Sequence, residues 1–300
     1  MIISTGGGPS GNLQPFVPDL SIDDTRELRR ADHGLVRARE TLLDALDSLG
    51  AQRNAVVLVG AQAVYEHTKL YREAPLTLTN DGDLGVDPSL VTDDPNIDSA
   101  MRDAGFTPHR DRPGIWIKHD GSEKPPSVDL LAADAVAGKG SRAARIAGQP
   151  KSAVGRAKGL ELALLDNTVM RLDSLADDSD RSCEIKVGSA AALVCAKAFK
   201  LGERIDARDG GGRDRVKSKD AGDVWRLMAT CDAAHARKVI DQHQEHPMMG
   251  DEIRKGREYI AEVFSADGVG ENLAVLDLAD AVPEETVRDV MRRWMSAFRG

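Results

Sequence analysis

The sequence predicts an α+β fold: a mixed β-sheet with flanking helices up to residue 187, then a helical domain over 188–300. Three observations carry this expectation. Short apolar runs bounded by Gly, Pro and Asn alternate with helix-spaced apolar residues as far as Val187. From Ser189 onward the apolar spacing is helical, broken only near Gly210-Gly211-Gly212, Pro247 and Pro283. No internal repeat divides the chain, and 300 residues suit one large domain or two.

The elements follow in order. Residues 1–20, with Gly6-Gly7-Gly8-Pro9-Ser10-Gly11, read as a flexible arm. Ser21-Ile22-Asp23-Asp24 is suited to cap a first helix containing Glu27–Arg30, and the core of the first domain spans 21–187. Leu35, Val36, Leu42, Leu43, Leu46 and Leu49 recur at helical spacing, and Gly50 ends the run. Ala55–Val59 is a buried strand, followed by a helix over Ala61–Leu70. A strand is expected over Asp83–Val86 and a helix over Asn96–Ala104, closed by Gly105. Gly114–Lys118 and Ser127–Leu131 are strands separated by a Lys124-Pro125-Pro126 turn. Leu160–Val187 reads as short strand pieces with a turn at Asp166-Asn167.

Composition narrows the function classes. A net charge of −9 argues against a protein that binds nucleic acid over its whole surface, so a polyanion needs a local patch. Cys183, Cys195 and Cys231 form neither a disulfide framework nor a zinc pattern, so reduced thiols and a cytoplasmic location are expected. The histidines make no metal pattern. No apolar run approaches the ~20 residues of a membrane span, so no membrane partner is expected.

The chemistry is concentrated between Ala55 and Asp223. Asp81-Gly82-Asp83 in a strand points both carboxylates to one side, because strand side chains alternate. Asp129, between Val128 and Leu130-Leu131, needs a partner if it is buried. If its strand lies beside the first, Asp81, Asp83 and Asp129 converge and could hold two Mg²⁺ ions ~3.5–4 Å apart. Asp-Gly-Asp is also common turn chemistry; Gly60 upstream and Asp129 downstream favour the carboxylate site. Gly60-Ala61 opens a helix whose free N–H groups suit β- and γ-phosphates. Lys197, Lys200 and Arg204 share one helix face, and Lys219-Asp220-x-x-Asp223 follows on the next helix. The alternative for that run is an exposed charged stripe with weak ion pairs.

Taken together, these pieces resemble the DNA polymerase β superfamily of nucleotidyltransferases. Within it they resemble the AbiEii/MenT-type enzymes, toxins of bacterial toxin–antitoxin pairs. The matching residues are Gly60-Ala61, Thr79-x-Asp81-x-Asp83, Val128-Asp129-Leu130-Leu131, Lys197 with Arg204, and Lys219-Asp220-x-x-Asp223, covering about residues 55–227. The resemblance implies a polymerase-β-type core and two Mg²⁺ ions on Asp81, Asp83 and Asp129. It implies nucleotide contacts from Gly60, Ala61, Thr79, Lys197, Lys200 and Arg204, and catalytic roles for the three aspartates, Lys197 and Asp220. Asp220 either orients Lys197 or takes a proton. Two departures stand out: Gly-Ala replaces the family's Gly-Gly or Gly-Ser, and Leu76-Thr77-Leu78 stands where an Arg often precedes the Thr-x-Asp-x-Asp.

The implied activity moves NMP from an NTP to an acceptor hydroxyl, at the 3′ end of tRNA, with a cognate antitoxin as partner. Lys139, Arg142 and Arg145, followed by Lys151, Arg156 and Lys158, form a basic stretch without acidic interruption, the first four suited to an RNA backbone or equally to a solvated loop. Transfer to a protein or a small molecule, or a silent binding module of the same fold, are the alternatives.

Overall fold

The computed structural model describes residues 33–71, 79–266 and 268–300. The expected N-terminal arm, the first helix and Leu76-Thr77-Leu78 lie outside the described residues.

The first described element is α1 (His33–Leu49), whose Leu35, Leu42, Leu43, Leu46 and Leu49 are all buried. The strand β1 (Val56–Val59) is buried along its whole length and runs directly into α2 (Gly60–Thr68). Next come β2 (Asp81–Val86) and α3 (Ile97–Asp103). The Asn96 side chain caps α3 by accepting from the Ser99 N–H. Four strands follow: β3 (Phe106–Pro108), β4 (Ile115–Lys118), β5 (Ser127–Ala133) and β6 (Gly155–Ala157). The short helix α4 (Glu161–Leu165) leads into the hairpin of β7 (Asn167–Asp173) and β8 (Ser182–Gly188).

The eight strands form one mixed sheet in the order β3-β4-β5-β2-β1-β8-β7, with β6 beside the far end of β5. β2 pairs antiparallel with β1 and parallel with β5. Helix α1 covers one face: at Gly82 an added Cβ would stand 3.0 Å from Leu42. Asp81 and Asp83 therefore project to the opposite face.

From Ser189 the chain is helical among the described residues, as expected. The helices are α5 (Ala190–Asp209), α6 (Ser218–Thr230), α7 (Ala233–His243), α8 (Gly250–Val263), α9 (Val269–Leu278) and α10 (Glu284–Arg299). Ser189 caps α5 by accepting from the Ala192 N–H, and Asp232 caps α7. Helix α5 packs on α6, α7 and α8, and α6 packs on α2. One hydrophobic core runs from Leu42 through Val194 to Phe298, so apolar packing is continuous across the 187/188 boundary. No described helix is long and apolar enough to cross a membrane.

Three local expectations are corrected. The aspartate strand begins at Asp81, because Asp81 pairs with Ser127 and extends the ladder by two residues. Leu160–Val187 opens with the helix α4 in place of a strand piece: Leu162 and Ala163 are buried, and the Asn167 side chain caps the last turn through the Ala163 and Leu164 carbonyls. The strands β3 and β6 have no counterpart in the sequence reading. Each is three residues long and exists through its pairing with β4 or β5.

Candidate active site

The register of the sheet places the three aspartates. Asp83 is paired with Val59 on one side and with Asp129 on the other. Paired strand residues project to the same face, and Asp81 shares that face by the alternation of β2. The tertiary structure thus brings together carboxylates 46 positions apart, 83 to 129.

Gly60 sits under this group. Its φ is +67°, and an added Cβ would lie 1.9 Å from Asp83 Oδ2. Two constraints therefore require glycine: the left-handed backbone and the approach of a carboxylate. Ala61, the next residue of α2, is buried. Thr79 donates its hydroxyl proton to Asp81 Oδ1, so it orients an aspartate directly.

The electrostatics of the three differ from those of free carboxylates. Burial, then the neighbouring Asp81, pushes Asp83 up to about 6, against the pull of Lys200, Lys197 and Lys219. Burial, then Asp83 and Asp81, raises Asp129 to about 8, against Arg112 and Lys200. Asp129 Oδ1 is buried and has no hydrogen-bond partner. Among the described residues no group of three or more His, Cys, Asp or Glu side chains is placed to hold a metal ion. The donors fit a hard cation nonetheless: carboxylate oxygens on one face, like-charge repulsion between them, and one buried oxygen left without a partner.

Helix α5, braced by α6, supplies the opposite wall. Lys197 Nζ lies 2.6 Å from Asp223 Oδ2 and 3.3 Å from Asp220 Oδ1. Lys200 Nζ is 3.1 Å from Asp220 Oδ1, and an Arg204 guanidinium nitrogen is 2.8 Å from Asp220 Oδ2. Asp220 thus receives three cations, and Asp223 receives Lys197 with Arg226 beside it at 3.6 Å. Burial pushes the Asp220 carboxyl up, but Lys197, Lys200 and Arg204 outweigh it and hold the group at about 2. Burial would likewise push Lys197 down, and Asp223 and Asp220 reverse the sign, so its ammonium stays charged. Asp220, 3% exposed, is held ionised by these three cations.

A cleft of about 590 Å³ opens between the two walls. Its polar lining includes Gly60, Asp83, Lys197, Lys200, Arg204 and Arg215. Leu131, Leu160 and Leu193 line its apolar part. The volume suits a small-molecule ligand.

The basic stretch is divided between the open surface and the cleft. Lys139, Arg142, Arg145 and Lys151 are exposed on an irregular segment before β6, and none of them lines the cleft. Ser141 of the same segment, Arg156 of β6 and Lys158 just beyond it do. Arg156 holds the segment in place through the Gly138, Gly140 and Asp134 carbonyls. The segment curls back on β6 through an Ala143–Gly155 bridge, and this turns the four cations outward.

Sequence reasoning misses several participants. Asp223 is visible at i+3 from Asp220 but carries no role of its own in the sequence. Arg215 and Arg112 carry no local signal; only the fold brings them to the cleft and to Asp129. Cys183, Cys195 and Cys231 are free thiols, with burial raising all three and most strongly Cys195, to about 12. Comparison with protein-family models, curated proteins and solved structures finds no match to this chain.

Proposed function

We propose that the protein is a metal-dependent nucleotidyltransferase with a polymerase-β-type core. It transfers NMP from an NTP to an acceptor hydroxyl, the 3′ end of tRNA being the acceptor that the family resemblance favours. The carrying observation is that Asp81, Asp83 and Asp129 share one face of β2 and β5, beside a helix-opening Gly60 and across a cleft from Lys200 and Arg204.

In this reading Asp81, Asp83 and Asp129 hold Mg²⁺, two ions by resemblance. Bound Mg²⁺ neutralises phosphate charge and makes the acceptor hydroxyl a better nucleophile. The triphosphate lies in the cleft, toward the N–H groups of Gly60 and Ala61 and the cations Lys200 and Arg204. The acceptor oxygen forms a bond to the α-phosphorus. The bond from that phosphorus to the oxygen bridging to the β-phosphate breaks, pyrophosphate leaves with the electron pair, and the hydroxyl proton passes to water. Lys197 and Asp220 hold the cationic wall rigid, so its charge is preorganised for the reaction. A toxin role, with an antitoxin partner, follows from the resemblance alone.

The test is incubation with each α-labelled NTP, Mg²⁺, total RNA and total protein, followed by fractionation. Label in tRNA with release of pyrophosphate, absent from Asp83→Asn, supports the proposal. Label in protein or a small molecule keeps nucleotidyl transfer and removes tRNA. Label in no fraction overturns the activity.

A further inference from the structure

The two polar sides of the cleft carry different chemistry, and helix α5 divides them. Asp220 draws Lys200 and Arg204 toward α6, while Glu203 Oε1 lies 3.0 Å from Lys158 Nζ, just beyond β6. At Gly159 an added Cβ would stand 2.8 Å from Phe199, so the chain after β6 lies directly against α5. Between the two sides the lining is apolar, with Leu131, Leu160 and Leu193. The register of β5 sets the direction from the aspartates. Asp129 pairs with Asp83, Leu131 follows on the same face, and Ala133 pairs with Ala157 of β6. From Asp129 to Ala133, four residues on, the strand rises roughly 13 Å at ~3.3 Å per residue. Asp134 stands at that end, opens a 3-10 turn (Asp134–Val136) and lines the cleft. Its carboxylate is fixed: Arg156 Nε lies 2.6 Å from Oδ1, and Arg156 also donates to the Asp134 carbonyl at 3.0 Å. The Glu161 carboxyl accepts from the Ala135 N–H at 3.3 Å and holds the same turn. The other Arg156 donors go to the Gly138 and Gly140 carbonyls, so the group this turn presents to the cleft is an acceptor. With its side chain 29% exposed, Asp134 is open to a ligand there.

Resting on the nucleotidyltransferase reading, we propose that Asp134 is a specificity-determining residue that reads the nucleobase of the NTP. It selects adenine and cytosine, whose pairing edge carries an amino group far from the sugar, over guanine and uracil, which carry a carbonyl oxygen there. With the phosphates at Gly60, Asp83 and Lys200, the base lies along Leu131 and Leu160 and its edge meets Asp134. An amino N–H donates to the carboxylate oxygen. A carbonyl oxygen in the same place faces a negative charge with no proton between them. A site built to receive a hydrogen bond rejects an analogue without the donor far more strongly than an apolar pocket rejects a change of size. Arg156 is a positioning residue, acting through the Asp134 carboxylate that it holds.

The experiment measures the affinity of wild type and Asp134→Asn for the α,β-methylene forms of ATP, CTP, GTP and UTP with Mg²⁺ by titration calorimetry, with Tm for each protein. Wild type should bind the ATP and CTP forms about 10–100-fold more tightly than the GTP and UTP forms. In Asp134→Asn the four should fall within about threefold of one another, because a carboxamide offers both a donor and an acceptor. Its Tm should stay near that of wild type, since the amide oxygen still receives Arg156. Equal affinities in wild type, or a preference for GTP and UTP, overturn the inference, and this comparison decides it even where the variant does not fold. A preference that survives undiminished in folded Asp134→Asn overturns it too, as does a loss equal for all four nucleotides. Wild type that binds none of the four overturns the nucleotidyltransferase reading itself.

Discussion

Two groups of aspartates, one on the sheet and one on helix α6, are in opposite electrostatic states. On the sheet, Asp83 and Asp129 crowd one another with few cationic partners, and burial raises them to about 6 and about 8. On the helices, Asp220 is 3% exposed yet held at about 2 by three cations. The residue type is the same and so is the sign of the burial effect; the supply of partners decides the outcome. A carboxylate group left short of positive charge is prepared for a cation that comes from outside. One saturated with side-chain cations is prepared to hold a wall in place. The comparison is the reason for proposing ligand chemistry at the sheet aspartates and an architectural part for the helix aspartates.

Substitution of one member from each group separates the two roles most sharply. Asp83→Asn should lower NMP transfer by about 10³-fold or more, since it removes a metal-binding oxygen. Its thermal stability at neutral pH should match or exceed that of wild type, because the change removes a desolvated charge. Asp220→Asn should lose both activity and stability, because Lys200 and Arg204 lose their carboxylate and Lys197 keeps only Asp223. Breaking a buried pair typically costs about 3–5 kcal/mol, and the lower end is expected here because Lys200 remains solvent-exposed. Unfolding monitored by circular dichroism decides it: equal destabilisation of both variants would erase the distinction.

Lys197→Met should reduce transfer by about 10²–10³-fold through misplacement of the cationic wall. It should also raise the Asp220 carboxyl from about 2 toward the ordinary range, measurable by carboxyl NMR titration. Loss of activity with Asp220 unmoved would show that Lys197 acts on substrate directly.

A smaller effect comes from Glu161, which lies outside the cleft lining. Its Oε1 accepts from the Ala135 N–H at 3.3 Å, and Oε2 is buried without a partner. Burial raises it from 4.5 to about 7, against those backbone hydrogen bonds. A raised carboxyl keeps its proton longer in the folded state than in the unfolded one. Its stabilising contribution is therefore full below about pH 4.5 and lost as pH rises through about 7. Glu161→Gln should flatten that part of the stability profile and be at least as stable as wild type at pH 8. Parallel profiles for the two proteins would remove Glu161 from the account.

The smallest effect is expected from the exposed stretch. Neutralising Lys139, Arg142, Arg145 and Lys151 together should leave nucleotide affinity unchanged, since none lines the cleft. If they touch an RNA backbone, the slope of log affinity against log salt should fall by about 0.7–0.9 for each phosphate no longer neutralised. An unchanged slope assigns them to a solvated surface.

Much of this arrangement is legible in the sequence, for identifiable reasons. Asp81 and Asp83 fall on one side because a strand alternates, and that rule needs no tertiary information. Lys197, Lys200 and Arg204 fall on one helix face by the same kind of local periodicity, and all three do reach Asp220. Ser189 and Asn96 announce their helices through capping chemistry. The short edge strands β3 and β6 are not legible, since three residues carry too little pattern and take their form from a neighbour. The outward turn of the basic stretch is not legible either, because it depends on Arg156 binding carbonyls 16 and 18 positions earlier.

The sequence by itself determined the local geometry: which side chains share a strand or helix face, where helices start, and that a mixed sheet precedes a helical region. These depend on backbone periodicity and on groups within a few residues of one another. Only the tertiary structure decided which of those faces meet. The pairing of β2 with β5 set Asp83 beside Asp129, and the packing of α5 on α6 gave Asp220 its three cations. Charge state follows from burial and from the neighbours a group receives, and both are properties of the assembled fold.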